Sequence, residues 1–113
     1  MAKYEIKDGV GIIPEGTKKI VSDAFENCKK LKSVVIQAGL NKIYDRAFAN
    51  CTSLETVTFP IGVKSFGVDV FTDCTALKTI YVPAKKADYY KKRLPSELHS
   101  LIVELSAEKK EKK

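Results

Sequence analysis

Residues 47–54 read A-F-A-N-C-T-S-L, and nearly the same pattern stands 23 residues before and 23 residues after them. The earlier copy is A-F-E-N-C-K-K-L at 24–31, and the later copy is V-F-T-D-C-T-A-L at 70–77. A fixed interval of this length is typical of repeat architectures, in which each unit is one small structural element. The sequence therefore predicts stacked copies of one unit.

Many other positions keep the same interval. All three cysteines and three of the four prolines obey it, so it accounts for the residue types that are scarce in this chain. The proline row has Gln37 as its exception. The main apolar rows are Ile20, Ile43, Phe66; Phe25, Phe48, Phe71; Cys28, Cys51, Cys74; Leu31, Leu54, Leu77; Val34, Val57, Ile80; and Ile36, Phe59, Val82.

Each unit opens with a short alternating run of β-branched residues, which is typical of a half-buried strand. A turn with proline or glycine follows, as in P-E-G at 14–16 and P-I-G at 60–62. The A-F-x-x-C-x-x-L segment then predicts one tight helical turn, with Ser22 and Asp45 where a helix N-cap is expected. One such unit cannot bury its apolar side alone, but stacked units can.

The fold class predicted is therefore a repeat solenoid, with a parallel ladder of strands spaced by ~4.8 Å and short helical turns. We expect one domain that includes both end caps. It covers residues 1–105, with repeats at 11–33, 34–56 and 57–79, and with the last strand and a C-terminal cap at 80–105.

Both ends of such a stack need a cap, because core and strand edges are otherwise exposed. At the start, Asp8-Gly9 lies between two alternating runs, which predicts an N-terminal hairpin cap over 3–13. After Pro83 the interval is lost, and the chain must end the stack differently.

The C-terminal part has three patterns in succession. Residues 84–93 have a helical pattern, and residues 101–105, L-I-V-E-L, have the pattern of a last covering strand. Residues 106–113, S-A-E-K-K-E-K-K, are predicted to be a charged flexible tail.

The unit resembles the BspA-like class of leucine-rich repeats, whose pattern is roughly L-x-x-I-x-I-P-x-x-V-x-x-I-G-x-x-A-F-x-x-C-x-x-L. The similarity runs from Gly11 to Val82, and the combination of A-F-x-x-C-x-x-L with I-x-I-P in one register is specific. Gln37 departs from the pattern by replacing the usual proline, and Gly11 departs by standing where an inward aliphatic residue is expected. The I-G dipeptide of the family pattern is present only in an altered form, as Phe66-Gly67.

This resemblance implies a right-handed β/α superhelix from a group of bacterial cell-surface and secreted proteins that bind host or matrix proteins. The first residues, M-A-K-Y-E, lack the apolar centre of a secretory signal. We therefore expect either a mature or excised part of a longer surface or secreted protein, or a cytoplasmic protein. No membrane insertion is expected, because no apolar run approaches the ~18 residues that span a bilayer.

Catalysis, a cofactor and a metal are not expected. The cysteines follow the repeat and not the close spacing of metal ligands, so they are predicted to be small buried hydrophobic residues. His99 is the only histidine, and the cysteine ladder would hide its possible catalytic partners. No recognisable catalytic motif is present.

The net charge of +6 suggests an anionic partner at first sight, but its distribution weakens that idea. Residues 1–83 carry 11 basic and 9 acidic side chains, whereas residues 84–113 carry 9 and 5. One alternative function is therefore electrostatic binding of nucleic acid or an anionic surface through the basic C-terminal segment, with Tyr89 and Tyr90 available for stacking. We favour a solvated helix side whose tyrosines close the core, and no nucleic-acid partner is expected.

The open strand face is the predicted partner-binding site. Because strand side chains alternate, the residues between the buried rows must point outward. These residues are Val10, Ser33, Thr56 and Thr79 in one row, Ile12, Val35, Thr58 and Tyr81 in the next, and Gln37 beyond them. We expect a monomer that binds a protein partner weakly, since the face is near or below the ~800 Å² per partner of a standard interface. A passive spacer or scaffold is the remaining alternative.

Overall fold

The computed structural model describes residues 5–105, and most of its regular structure belongs to two sheets. The strands are β1 (Ile6–Lys7), β2 (Val10–Gly11), β3 (Lys19–Ile20), β4 (Ser33–Val35), β5 (Lys42–Ile43), β6 (Thr56–Thr58), β7 (Ser65–Phe66), β8 (Thr79–Val82) and β9 (Ile102–Glu104). Between β8 and β9 lie the helix α1 (Ala87–Lys91) and a 3₁₀ helix (Ser96–Leu101). The tail predicted at 106–113 and the first two residues of the predicted 3–13 hairpin lie outside the described residues.

The larger sheet has the strand order β1-β2-β4-β6-β8-β9 and joins equivalent strands of successive repeats. β2, β4, β6 and β8 pair in parallel, and Val57 lies opposite Val34 on one side and Ile80 on the other. All three of these side chains are fully buried. The predicted parallel ladder with a 23-residue offset is therefore confirmed in this sheet.

A second sheet, with the order β3-β5-β7, was not predicted from the sequence. Its strands also pair in parallel, with Ile43 opposite Ile20 and Phe66. Each strand contains only two residues, which is too short for the apolar–polar alternation that predicts a strand. The repeats are thus joined along two edges, and the core lies between the two sheets.

Equivalent apolar side chains pile up in the core as the interval predicts. The rings of Phe25, Phe48 and Phe71 form one column in which each ring stacks parallel to the next. Leu31 and Leu54 are fully buried in the next row. Stacking of like residues at one strand spacing gives each repeat the apolar contacts that it cannot make alone.

The segment that follows each strand of the second sheet is not helical, so the prediction of short helical turns is wrong. Asp23 and Asn27 both have φ of 62°, and their equivalents in the next two repeats are also left-handed. Such residues interrupt a right-handed helix. The backbone N–H groups instead alternate between acceptors in the same turn and acceptors in the next repeat. Ala24 donates to the carbonyl oxygen of Val21 in its own turn, whereas Phe25 donates to that of Ala47 in the next repeat. We call residues 21–28, 44–51 and 67–74 the turn ladder.

The N-cap expected at Asp45 is also replaced by a contact between repeats. Its Oδ1 accepts a hydrogen bond of 2.8 Å from the backbone N–H of Val68 in the third repeat. Ser22, the other expected N-cap, is exposed, and no helix follows it. Neither side chain therefore begins a helix, and that of Asp45 contributes to the stacking of repeats.

The N-terminal end has an antiparallel pair, β1 and β2, joined by Asp8 and Gly9. Both residues have positive φ, 52° and 84°, as a two-residue hairpin turn requires. Gly11 is buried, and a Cβ there would lie 2.9 Å from Leu31 Cδ1 and 3.4 Å from Phe25 Cζ. These two side chains therefore occupy the space that the family pattern gives to an aliphatic residue.

The C-terminal segment covers the last repeat. α1 is shorter than the predicted 84–93 helix, since Lys85 has a left-handed φ of 68°. Tyr90 is fully buried, and its ring stacks 5.2 Å from that of Phe59. Its hydroxyl donates to the carbonyl oxygen of Pro60. β9 then pairs in parallel with β8, as the pattern of 101–105 predicts.

Candidate functional site: the outer strand face

The candidate site is the solvent-facing side of the larger sheet, which we call the outer strand face. It consists of the outward residues of β2, β4, β6, β8 and β9 together with two residues that flank these strands. Its members are Val10, Ile12, Ser33, Val35, Gln37, Thr56, Thr58, Thr79, Tyr81 and Val103.

Two rows of side chains cross this face. In the first row Ser33 lies opposite Val10 on one side and Thr56 on the other, and Thr79 continues the row. The second row runs through Val35, Thr58 and Tyr81, which are paired in the same way. Neighbouring side chains in each row are therefore about one strand spacing, ~4.8 Å, apart. The structure brings together seven of the nine residues that the sequence predicted for this surface.

Ile12 and Gln37 lie beside these rows. Ile12 follows β2, and its N–H donates to Glu5 at 2.8 Å, which ties it to the N-terminal hairpin. Gln37 lies two residues beyond β4 and is exposed. Both residues therefore extend the face beyond the paired residues of β2 and β4.

Val103 belongs to the face, although the sequence analysis did not include it. It lies opposite Tyr81 in the pairing of β9 with β8, and 46% of its surface is exposed. The alternation in L-I-V-E-L was the available signal, because it places Ile102 inward and Val103 outward. The strand was predicted, but the register that aligns it with Tyr81 depends on the intervening helices.

The residues of the face carry no charge, and its exposed apolar side chains lie towards its two ends. Val10, Ile12, Val35 and Val103 are four of the exposed large apolar side chains within residues 5–105. The outward positions of β4, β6 and β8 carry only serine, valine, threonine and tyrosine. Such a surface can be covered by a partner without desolvating a charge.

A charged row borders the face at the start of these strands. Its members are Lys32, Glu55 and Lys78, which are exposed and spaced by the repeat. Lys78 Nζ lies 3.7 Å from Glu55 Oε1. An uncharged surface beside a charged border agrees with the anatomy of protein–protein interfaces, in which charged residues are depleted from the core.

The cysteines form a structural ladder between repeats, but the predicted burial holds only for Cys51, since Cys28 and Cys74 at the two ends are half-buried. Cys51 Sγ donates to the carbonyl oxygen of Phe25, and Cys74 Sγ donates to that of Phe48, both at 3.0 Å. The hydrogen bond with the side chain of Cys74, together with burial, raises the pKa of the Cys51 thiol. A thiol held in its neutral form is a poor nucleophile. Between residues 5 and 105 no group of three or more potential metal ligands is brought together.

His99 and the two tyrosines of the basic segment contact the protein itself. His99 Nε2 donates to the carbonyl oxygen of Leu94 at 2.9 Å. The Tyr89 hydroxyl donates to Val63, and the Arg93 guanidinium covers the Tyr89 ring at 3.6 Å. Tyr90 is fully buried, so its ring is not accessible for stacking on a nucleobase, whereas Tyr89 is half-buried and has one ring face covered by Arg93.

Comparison with known proteins agrees with the repeat geometry. The family model of the BspA type leucine rich repeat region matches the chain in six copies over residues 10–101. No curated protein and no solved structure showed significant similarity. Neither helix in the described part of the chain is long and apolar enough to cross a bilayer. Since the family match covers most of the sequence, the chain belongs to the BspA-type leucine-rich-repeat family.

Proposed function

We propose that this chain is a protein-binding module, a short right-handed solenoid whose outer strand face docks against a partner protein. The observation that carries the proposal is the exposed, uncharged surface of that face, where Val35 and Val103 are 50% and 46% exposed. Apolar side chains aligned in register gain ~25 cal/mol for each Å² that a partner covers. Family membership supports the same function, since leucine-rich repeats are generally interaction modules.

The size of the face sets the strength of binding. The five strands that form the face, spaced by ~4.8 Å, make it about 19 Å wide. A partner that covers it would bury an area near or below the ~800 Å² per side of a standard interface. Tyr81 lies between Thr58 and Val103 and is the side chain best suited to anchor a contact, since aromatic residues dominate interface energetics. The module should bind weakly alone and more tightly when several copies act together.

Membership of the family supports a proposal for the partner and the location. The proposed partner is a host or matrix protein, and the proposed location of the parent protein is the bacterial cell surface or the extracellular medium. The module acts as a monomer and contributes contacts only, with no catalysis and no cofactor.

The experiment measures binding to a panel of immobilised extracellular-matrix proteins by biolayer interferometry. The wild type is compared with the double variant Thr58→Lys and Tyr81→Ala, and with Thr52→Lys, which changes an exposed threonine outside the face. We expect the double variant to lose at least about tenfold in affinity, because it removes an anchor and places a charge at the centre. Thr52→Lys should bind like the wild type, and all three proteins should melt at similar temperatures.

Two other outcomes would contradict the proposal. The first is binding that survives the double variant but falls steeply with salt and disappears when Lys85, Lys91 and Lys92 are changed to glutamine. This result would favour the electrostatic alternative. The second is no binding by the wild type to any member of the panel, which would favour a spacer.

A further inference from the structure

A groove lies at the C-terminal end of the turn ladder, away from the outer strand face. It has a volume of about 350 Å³ and is formed by residues 66–72 of the third repeat and residues 93–98 of the C-terminal segment. This volume is at the lower end of the range of ligand pockets, ~300–1,000 Å³. The groove occupies the place where a fourth repeat would continue the turn ladder.

The backbone of the third repeat presents hydrogen-bond donors at this end. In the first two repeats, three alternate N–H groups donate to the next repeat. These bonds run from Asp23 to Asp45, Phe25 to Ala47, Asn27 to Ala49, Arg46 to Val68, Phe48 to Val70 and Asn50 to Thr72, at 2.6–3.1 Å. The equivalent N–H groups of Asp69, Phe71 and Asp73 make no backbone hydrogen bond within residues 5–105. In the stack, the acceptors of the equivalent donors are alternate carbonyl oxygens of the next turn segment, such as those of Asp45, Ala47 and Ala49. A peptide with the same backbone arrangement would therefore match the donors of the third repeat.

The charged side chains at equivalent positions of the turn ladder indicate which charge a ligand should carry at this end. Asp23, Arg46 and Asp69 occupy equivalent positions, and both aspartates interact electrostatically with Arg46. The sign of the charge therefore alternates from one repeat to the next. A side chain that continued the series beyond Asp69 would be basic. Glu97 adds a second carboxylate to the groove wall.

The cation in the groove wall is already engaged by the protein. Arg93 Nε donates to the Lys64 carbonyl oxygen at 3.1 Å, and its Nη1 donates to that of Tyr89 at 2.9 Å. The groove also has an apolar part, since Val68 is 65% exposed and Leu94, Pro95 and Leu98 line the opposite wall. The groove thus combines unpaired donors, carboxylates and apolar contacts.

A second copy of this chain would not match the groove. If a copy continued the ladder, its own Asp23 would lie beside Asp69, and two like charges would face each other. The residues 93–98 also limit the space to that of a single chain segment.

From these features we propose that the groove binds a peptide segment of a partner protein whose backbone follows the turns of the ladder, with a lysine or arginine placed beside Asp69. The carbonyl groups of the peptide accept hydrogen bonds from Asp69 and Phe71 in the groove and from Asp73, which follows the last groove residue of the third repeat. Its apolar side chains contact Val68 and Leu98. This site is independent of the outer strand face and would allow the module to hold two partners.

The experiment uses ¹⁵N-labelled full chain and a capped heptapeptide with the sequence of residues 44–50, Y-D-R-A-F-A-N. In the intact protein this segment stacks on Asp23, the equivalent of Asp69, with its arginine at the matching position. A second peptide with glutamate in place of the arginine is the control, and it requires no protein variant. We expect the first peptide to shift the amide signals of Asp69, Phe71 and Asp73 and to bind about fivefold more tightly than the second.

Two protein variants test the charge in the groove. Asp69→Lys should weaken binding of the first peptide about fivefold. Asp88→Lys, the same change at an exposed position on α1 outside the groove, should leave binding unchanged. The proposal is overturned if the three amides do not respond, or if the two peptides bind equally. It is also overturned if the same amides shift with protein concentration alone, which would identify a second copy as the occupant.

Discussion

The ring of Phe48 lies 5.3 Å from the ring of Phe25, its equivalent one repeat earlier, and the two planes differ by only 7°. Phe48 is related to Phe71 in the same way, at 5.4 Å and 7°. The aromatic column therefore preserves the 23-residue interval of the sequence as a translation in space. Phe48 is its middle member and contacts both neighbouring repeats.

Substitution of Phe48 by alanine should destabilise the chain strongly. The change removes a fully buried ring and leaves a cavity between two repeats, which typically costs about 3–5 kcal/mol in the free energy of unfolding. Urea denaturation followed by circular dichroism measures this loss, with Thr52→Ala as an exposed control from the same repeat. A loss below about 1 kcal/mol for Phe48→Ala would contradict the stacked core.

Gly67 is a site of close approach between repeats. A Cβ at this position would lie 2.6 Å from the backbone nitrogen of Asp45, so Gly67→Ala must shift the backbone and should cost about 1–3 kcal/mol. Gly11→Ala is the matched comparison, because its closest contact is the end of the Leu31 side chain, which can move. We therefore expect a smaller loss for Gly11→Ala in the same denaturation experiment. The opposite order would show that the second sheet is less tightly stacked than described.

The titration of Tyr90 should lower the free energy of unfolding at alkaline pH. Burial raises the pKa of Tyr90 to about 12, whereas an unfolded tyrosine titrates near ~10. The folded chain holds this proton more tightly, so the contribution to stability is complete below about pH 10 and is lost as the pH rises towards 12. Two pKa units correspond to about 2–3 kcal/mol.

The control for this prediction is Tyr90→Phe. It should be less stable than the wild type at pH 8, because the Pro60 carbonyl oxygen and the Val63 N–H lose a hydrogen-bond partner. Its stability should fall less between pH 10 and pH 12. Equal pH dependence in both proteins, measured by urea midpoints, would show that Tyr90 titrates normally.

The sequence predicted those features that repeat over several residues. The 23-residue interval, the inward Val34, Val57 and Ile80, and the outward rows all follow from side-chain alternation and stacking. The Asp8-Gly9 pair likewise favours a tight turn, since both residues tolerate a positive φ.

The sequence did not predict those features that depend on contacts between repeats. Apolar residues three positions apart suggested a helix in 21–28, but the left-handed Asp23 and Asn27 direct alternate N–H groups to the next repeat. Arg46 has the same positive φ of 58°, although arginine gives no local signal for it. Val103 joins the face through the path of the C-terminal segment, for which the repeat gives no information.

Methyl NMR offers the most direct test of the claim that the outer strand face is the binding surface. The protein, labelled at isoleucine and valine methyl groups, is titrated with the matrix protein that the wild type binds. We predict that Val10, Val35 and Val103 shift or broaden first. Ile61, which is 65% exposed and lies outside both the face and the groove, is the internal control and should not change. Changes at residues away from the face, with the signals of Val10, Val35 and Val103 unaffected, would contradict the account.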